Sequence, residues 1–272
     1  MIQQFSEYLF EIRGYSANTT RAYTTDLRSF VKWAHETGAV TRWSEVTRQT
    51  IDEYIKQQNR AGKAATTTNR QIASLSSFFT FLKRQGYEVE NPCRYESRRK
   101  VAQTLPNVLK LEQLKRAYTN AIGAKKTMLG LLATTGMRIQ ELLDMKYEDI
   151  NFETAEIRIN GKGNKARIVT TEKAVLYDLE RCWIENKASG KVFWIGQRAA
   201  RTMIKEVLQP YCRSKHLNPH TIRHTYATEL AKAGASSASI AKALGHEHIA
   251  TSEKYINLAE VSNCKGIVKL TK

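Results

Sequence analysis

Residues 155–170, Ala155-Glu-Ile-Arg-Ile-Asn-Gly161-Lys162-Gly-Asn-Lys165-Ala-Arg167-Ile-Val-Thr170, interrupt a chain otherwise patterned for helices. Glu156-Ile-Arg-Ile alternates polar and apolar, Gly161-Lys-Gly-Asn-Lys has turn composition, and Ala166-Arg-Ile-Val-Thr resumes a strand-like pattern. A period of two around a glycine-rich centre reads as a β-hairpin. On either side the apolar residues return every three or four positions. Helical patterns cover Lys110 to Asn120, Thr127 to Thr134 and Arg138 to Met145 before the hairpin, then 172–186, 197–214 and several short pieces across 219–259. A mixed, mostly helical domain with one small hairpin or sheet is expected over 109–272.

Residues 1–98 read as a separate block of about four helices. Phe5, Tyr8, Leu9 and Ile12 mark the first. Ser16 opens a long amphipathic segment in which Tyr23, Leu27, Phe30, Val31 and Ala34 recur until Gly38. Thr47 or Thr50 caps the next, with Ile51, Tyr54 and Ile55 inward, and Thr66 to Thr68 start a fourth, with Ile72, Leu75, Phe78, Phe79 and Leu82 inward until Gly86. Asn91-Pro92 ends the block, and the polar, basic run from Arg94 to Gln103 points to a linker at 99–108.

The 272 residues carry 43 Lys and Arg against 26 Asp and Glu, a formal charge of +17. The excess is uneven. Residues 1–98 hold 14 basic and 10 acidic side chains, whereas 99–272 hold 29 and 16. With 42% apolar residues the chain has material for a packed core, so the charge belongs to a folded surface that attracts a polyanion, nucleic acid above all. No apolar run approaches the roughly 20 residues of a membrane helix, and Glu7 breaks the opening MIQQFSEYLF where a signal peptide keeps its apolar core. A cytoplasmic protein without a membrane partner is expected. Cys93, Cys182, Cys212 and Cys264 stand singly, which argues against a zinc site or a disulfide framework.

Five of the six histidines fall between 216 and 248. His216, His220 and His224 have helical spacing, but Pro219 separates the first two and no HExxH occurs, so no metal site is expected. An anion site fits better. A helix beginning after Pro219 places His220 and Arg223 on one face, where Arg offers two phosphate oxygens a planar, permanently charged fork and His exchanges a proton near neutral pH. Gly161-Lys-Gly-Asn-Lys lacks the spacing of a nucleotide-binding phosphate loop.

In order along the chain stand Thr134-Thr-Gly-Met-Arg138-Ile-Gln-Glu141-Leu, Gly161-Lys162-Gly-Asn-Lys165-Ala-Arg167, His220-Thr-Ile-Arg223-His224, Leu244-Gly-His246 and Tyr255. Singly, each has an ordinary structural reading: Tyr255 as a packed tyrosine, Lys162 as a solvated turn residue. Together they resemble the tyrosine recombinases, also called phage-type integrases, and the two-block layout is most similar to the Xer-type members. The motifs span about 134–258, and the helical block before them is similar to the family's core-binding domain. Tyr255-Ile-Asn and Met137 depart from the commoner Tyr-Thr-His and Leu, without removing a catalytic group.

The resemblance implies a mainly α fold, with a helical N-terminal core-binding domain and a mixed α+β catalytic domain of the tyrosine recombinase type. Tyr255 is then the nucleophile, leaving a 3′-phosphotyrosyl bond and a free 5′-hydroxyl. Arg138 and Arg223 hold the non-bridging oxygens, Lys162 protonates the leaving 5′ oxygen, His220 helps accept the tyrosine proton, His246 hydrogen-bonds the phosphate, and Glu141 orients its neighbours. Lys165 and Arg167 are candidate DNA contacts, and His224 and His248 lie outside the expected set. The implied partner is double-stranded DNA, with four protomers on two sites exchanging strands through a Holliday junction, alone or with a second recombinase or activator. No cofactor, metal or ATP is implied, because the covalent intermediate conserves the phosphodiester bond energy. A type IB topoisomerase, a catalytically retired DNA-binding regulator and a metal nuclease are the competing classes. The apolar residues of the tail up to Leu270 are spaced to dock either on a neighbouring protomer or on their own chain.

Overall fold

A computed structural model of the chain describes residues 1–94, 99, 106–161, 166–186, 190–214, 216–246 and 248–260. The chain divides into two compact units, Met1–Gln103 and Thr104–Lys272. Lys162, Lys165, most of the expected linker and the tail after Glu260 lie outside the described residues.

The first unit is helical. Helix α1 (Ile2–Glu7) runs into one π-helical turn at Tyr8–Ile12. That wider turn advances the phase of the helix, so Phe5 and Leu9 are buried while Ile12 is 66% exposed. Helix α2 (Ala17–Thr37) starts where Ser16 Oγ accepts from the Thr19 N–H at 3.2 Å, and stops at Gly38, whose φ is +66°. Thr47 caps α3 (Arg48–Arg60), and α4 (Ala65–Arg84) closes the unit. Their shared core is unusually aromatic: Phe5 meets Phe78 edge-on at 5.2 Å, and Phe30 meets Tyr54 likewise at 5.2 Å. An ion pair with a buried carboxylate joins α2 to α4, Arg70 Nη1 donating to Asp26 Oδ2 at 2.8 Å, with Ser74 Oγ also donating to that oxygen.

The second unit begins with α5 (Leu111–Asn120), α6 (Gly123–Thr135) and α7 (Ile139–Asp144). The predicted hairpin is present as β2 (Glu156–Asn160) and β3 (Ala166–Thr170), and a short β1 (Ile150–Asn151) extends it to a three-stranded antiparallel sheet in the order β1-β2-β3. The register pairs Ile157 with Val169 and Ile159 with Arg167. Because side chains alternate across a strand, Arg167 therefore shares the core-facing side with Ile157, Ile159 and Val169, while Ile168 is exposed.

Helices α8 (Lys173–Asn186), α9 (Gln197–Leu208), α10 (Pro219–Lys232), α11 (Ser237–Leu244) and α12 (Ala250–Glu260) complete the unit. The helical pattern expected over 197–214 stops at Leu208, since Pro210 can neither donate to nor fit within a continuing helix. Leu129, Leu132, Leu142, Ile157, Leu179, Ile204 and Ile222 lie in one core, and Ala227, Ile240, Leu244 and Tyr255 in a smaller one between α10, α11 and α12. Among the described residues no helix is long and apolar enough to cross a membrane.

Gly136 ends α6 with φ of +62°, and a Cβ placed on it would lie 2.3 Å from Tyr226 Cδ1 and 3.0 Å from Leu244 Cδ2. Gly136→Ala thus meets both backbone strain and overpacking, and is expected to lower stability by about 2 to 4 kcal/mol. Urea denaturation measures it; an unchanged midpoint would show that the turn can relax.

Candidate active site

Two local features build the arginine side of the site. The left-handed Gly136 turns the chain from α6 into α7 and places Arg138 at the N-cap of α7. Glu141, three residues on, accepts from the Arg138 backbone N–H at 2.7 Å and from its Nη1 at 2.8 Å. The same carboxylate receives Arg167 in a fork, Nη1 to Oε1 at 3.0 Å and Nη2 to Oε2 at 2.7 Å. Their side chains are only 8% and 12% exposed, so this pair is held away from water. Burial works to raise the Glu141 carboxyl, but donation from Arg167 and from the Arg138 backbone outweighs it and keeps the pKa below the ordinary value.

Helix α11 supplies the opposing wall. It ends at Gly245, with φ of +65°, and the His246 N–H folds back to the Ala241 carbonyl at 2.9 Å. Three successive carbonyls at this end each accept from a different arginine: Ala243 from Arg167 Nε at 3.0 Å, Leu244 from Arg223 Nη2 at 2.7 Å, and Gly245 from Arg138 Nη2 at 3.0 Å. The negative end of a helix is where cations are stabilised. Arg223 is 4% exposed and also donates Nη1 to the Gly136 carbonyl at 2.8 Å. Burial, and then the charge of Arg138, draw its pKa down to about 10, which leaves it a cation at neutral pH.

The histidines and the tyrosine come from α10, α12 and the turn between α11 and α12. Asn218 caps α10, its Oδ1 accepting from the His220 and Thr221 N–H groups, and Pro219 occupies the first turn. His216 therefore precedes the helix, while His220 and His224 are one turn apart within it. His220 is exposed; partial burial of its ring and the charges of Arg223, Arg201 and Arg138 lower its pKa. Tyr255 is 1% exposed, and burial raises its pKa against the opposing pull of Arg223. His224 Nδ1 lies 2.8 Å from the Tyr255 hydroxyl. His246 stacks beside the same ring at 6.5 Å and bonds Ser252 Oγ through Nδ1 at 2.9 Å.

The structure thus brings Arg138, Glu141, Arg167, His220, Arg223, His246 and Tyr255 into one neighbourhood linked by hydrogen bonds and charge. Arg167, expected as a DNA contact, spends Nε and both Nη atoms inside the protein. His224, outside the expected set, touches the tyrosine. Its signal was present in the sequence as the i, i+4 spacing from His220, which puts both on one face once the helix starts at Pro219. Among the described residues no three His, Cys, Asp or Glu side chains form a metal-ligating group.

The Glu141 pKa is depressed, so its contribution to stability is present above the unfolded-state value, about 4.3, and is lost as pH falls through the folded one. Glu141→Gln, which leaves Arg167 without its counter-charge, is expected to cost about 3 kcal/mol at pH 7. The gap from wild type should narrow as both are titrated below about pH 4. Denaturation at a series of pH values checks this; a gap that is constant with pH would show that the Glu141 charge does not stabilise the fold.

Comparison with known proteins bears on the family and the fold. The phage integrase family pattern covers residues 107–261, and that family's N-terminal SAM-like domain covers residues 2–86. The chain is 31% identical to tyrosine recombinase XerD of Listeria monocytogenes serotype 4b (strain F2365), over 96% of this chain and 95% of that one. It is 29% identical to tyrosine recombinase XerC of Bacillus pumilus (strain SAFR-032), over 96% and 93%. Its fold is shared with XerH site-specific recombinase bound to a palindromic difH substrate in a post-cleavage complex, at a TM-score of 0.77 and 18% identity over 96% of this chain and 82% of that one. It is shared also with a lambda integrase dimer bound to a COC′ core site, at 0.74 and 14% over 98% and 78%. With a family pattern across more than half its length and a relative of that identity across nearly all of it, the chain belongs to the phage integrase family, the tyrosine recombinases.

Proposed function

We propose that this tyrosine recombinase cuts and rejoins duplex DNA at a specific site through Tyr255. The observation that carries the reading is the place of the Tyr255 hydroxyl, buried, hydrogen-bonded to a histidine and under the charge of Arg223. A tyrosine hydroxyl ionises near pH 10, so attack at neutral pH needs a base and a cationic field beside it. Oη of Tyr255 bonds to the scissile phosphorus as its proton leaves to a histidine; His220, by family resemblance, shares in that transfer. The bond from phosphorus to the 5′ oxygen breaks, and that oxygen takes a proton from Lys162. A 5′-hydroxyl from the partner duplex reverses the steps and releases the tyrosine.

Arg138 and Arg223 hold the non-bridging oxygens, where negative charge gathers, and His246 adds a hydrogen bond. Because carbonyls and Glu141 already fix both guanidinium groups, little reorganisation accompanies the reaction. The +17 charge draws DNA to the protein, and the helical block at 1–98 acts as the core-binding domain, joined by 99–108 to the catalytic domain at 109–272. Four protomers on two sites, exchanging one pair of strands at a time through a Holliday junction, complete the reaction.

Covalent capture tests this. Wild type and Tyr255→Phe are incubated with sheared host DNA with and without EDTA, denatured, and the protein-bound DNA is sequenced. Attachment by wild type alone, at a recurring sequence, is expected; attachment by the variant, or loss of attachment on chelation, would overturn the reading. Arg223→Lys, which keeps the charge but loses the fork, is expected to lower the cleavage rate by about 10²- to 10³-fold while DNA binding persists. Single-turnover cleavage of the recovered site measures it, and a rate near wild type would remove Arg223 from transition-state stabilisation.

A further inference from the structure

Resting on the reading of Tyr255 as the nucleophile, we propose that His224 is the base that takes the tyrosine proton directly, through Nδ1. The two atoms stand 2.8 Å apart, and the rings lie 5.7 Å apart at 42°. Among the described residues His224 is the hydrogen-bond partner of this hydroxyl. Tyr255 is itself only 1% exposed, so the contact is held inside the protein.

Nδ1 can accept only from a neutral ring that carries its proton on Nε2. The surroundings enforce that neutrality. Burial, then Lys254 on α12 and His220 and Arg223 on α10, push the His224 pKa down to about 4, and His246 faces it from the turn after α11. His220 is exposed and lies one turn earlier on the same helix. The transfer balances: the Oη–H bond breaks as the bond from Oη to phosphorus forms, and Nδ1 gains the proton to give an imidazolium. The developing phosphorane charge offsets that cation. On rejoining, the imidazolium returns the proton to the departing tyrosine.

A base and a mere positioning contact are separable here. Asn places its Oδ1 near where His Nδ1 stands, so His224→Asn retains an acceptor for the hydroxyl but no useful basicity. The assay is single-turnover cleavage of a duplex bearing the site recovered by covalent capture. It is made once with the natural phosphodiester and once with a 5′-bridging phosphorothiolate, whose leaving sulfur needs no proton. His224→Asn and His224→Ala are expected to bind DNA like wild type and to cleave at least about 100-fold more slowly on both substrates. Their rates should also climb more steeply with pH than that of wild type. A His224→Asn rate within a few-fold of wild type would reduce His224 to a positioning contact, and restoration by the phosphorothiolate would move its action to the leaving group.

Tyr255→Phe on the same substrates separates the two claims. If it cleaves, the nucleophile assignment falls and this inference with it; if it is inert while His224→Asn is fast, only the inference falls. Nitrogen NMR of the imidazoles in the wild-type chain near pH 7 does not depend on any variant folding. A neutral His224 protonated at Nε2 is expected, and an Nδ1-protonated or charged ring would overturn the proposal.

Discussion

The catalytic unit is organised around one electrostatic problem, the accommodation of Arg138, Arg167 and Arg223 in a single pocket. Cations so close repel, and one of them is nearly stripped of water. The protein answers with the C-terminal end of α11, whose last carbonyls at Ala243, Leu244 and Gly245 each take one guanidinium, and with the carboxylate of Glu141, which bridges Arg138 and Arg167. Carbonyls that a helix end leaves without intrahelical partners thus acquire donors, and the guanidinium groups acquire fixed dipoles in place of solvent. Neither set would be stable in this geometry alone.

Much of the surrounding structure serves that arrangement. Gly136 is the only residue type that turns α6 into α7 so tightly against Tyr226, and its carbonyl becomes a further acceptor for Arg223. Gly245 takes a φ of +65° that other residues rarely adopt, and a Cβ there would press on Arg167 Nη1 at 3.0 Å. Asn218 and Pro219 set the first residue of α10 and so the phase by which Arg223 points inward while His220 stays exposed. On α12, Ser252 and Tyr255 are both buried and each is held by a histidine, which fixes the tyrosine against the same wall. A site assembled this way is preorganised for a charge that it does not itself contain.

Helices and their ends were legible because they follow from neighbours in the chain. Ser16 and Gly38 bracket α2 as their capping and left-handed preferences require, and the change of period at 155–170 marked the hairpin. Departures have equally local causes: a π-helical turn leaves Ile12 exposed, and Pro210 shortened α9. The ordered motif also pointed to most of the candidate site, since Arg138, Arg223, His246 and Tyr255 come together in one neighbourhood. Less accessible were the partners. Nothing in the spacing of His224 and Tyr255, 31 residues apart, distinguishes a hydrogen bond from two unrelated side chains.

Arg167 draws the boundary most clearly. Its sequence context, a basic residue beside a glycine-rich turn, suits a phosphate contact as well as a structural ion. What decides is the strand register, which pairs it with Ile159 and turns it toward Glu141, and the arrival of α11 with an accepting carbonyl. By itself the sequence determined the helical periods, the caps and turns, the basic excess and the chemical types available for phosphate chemistry, because these depend on intrinsic conformational preference and charge. Only the tertiary structure decided which cation is neutralised by which carbonyl and which histidine meets the tyrosine. Those pairings are set by the packing of α10, α11, α12 and the sheet around a shared core, where the cost of an unsatisfied buried charge leaves few arrangements stable.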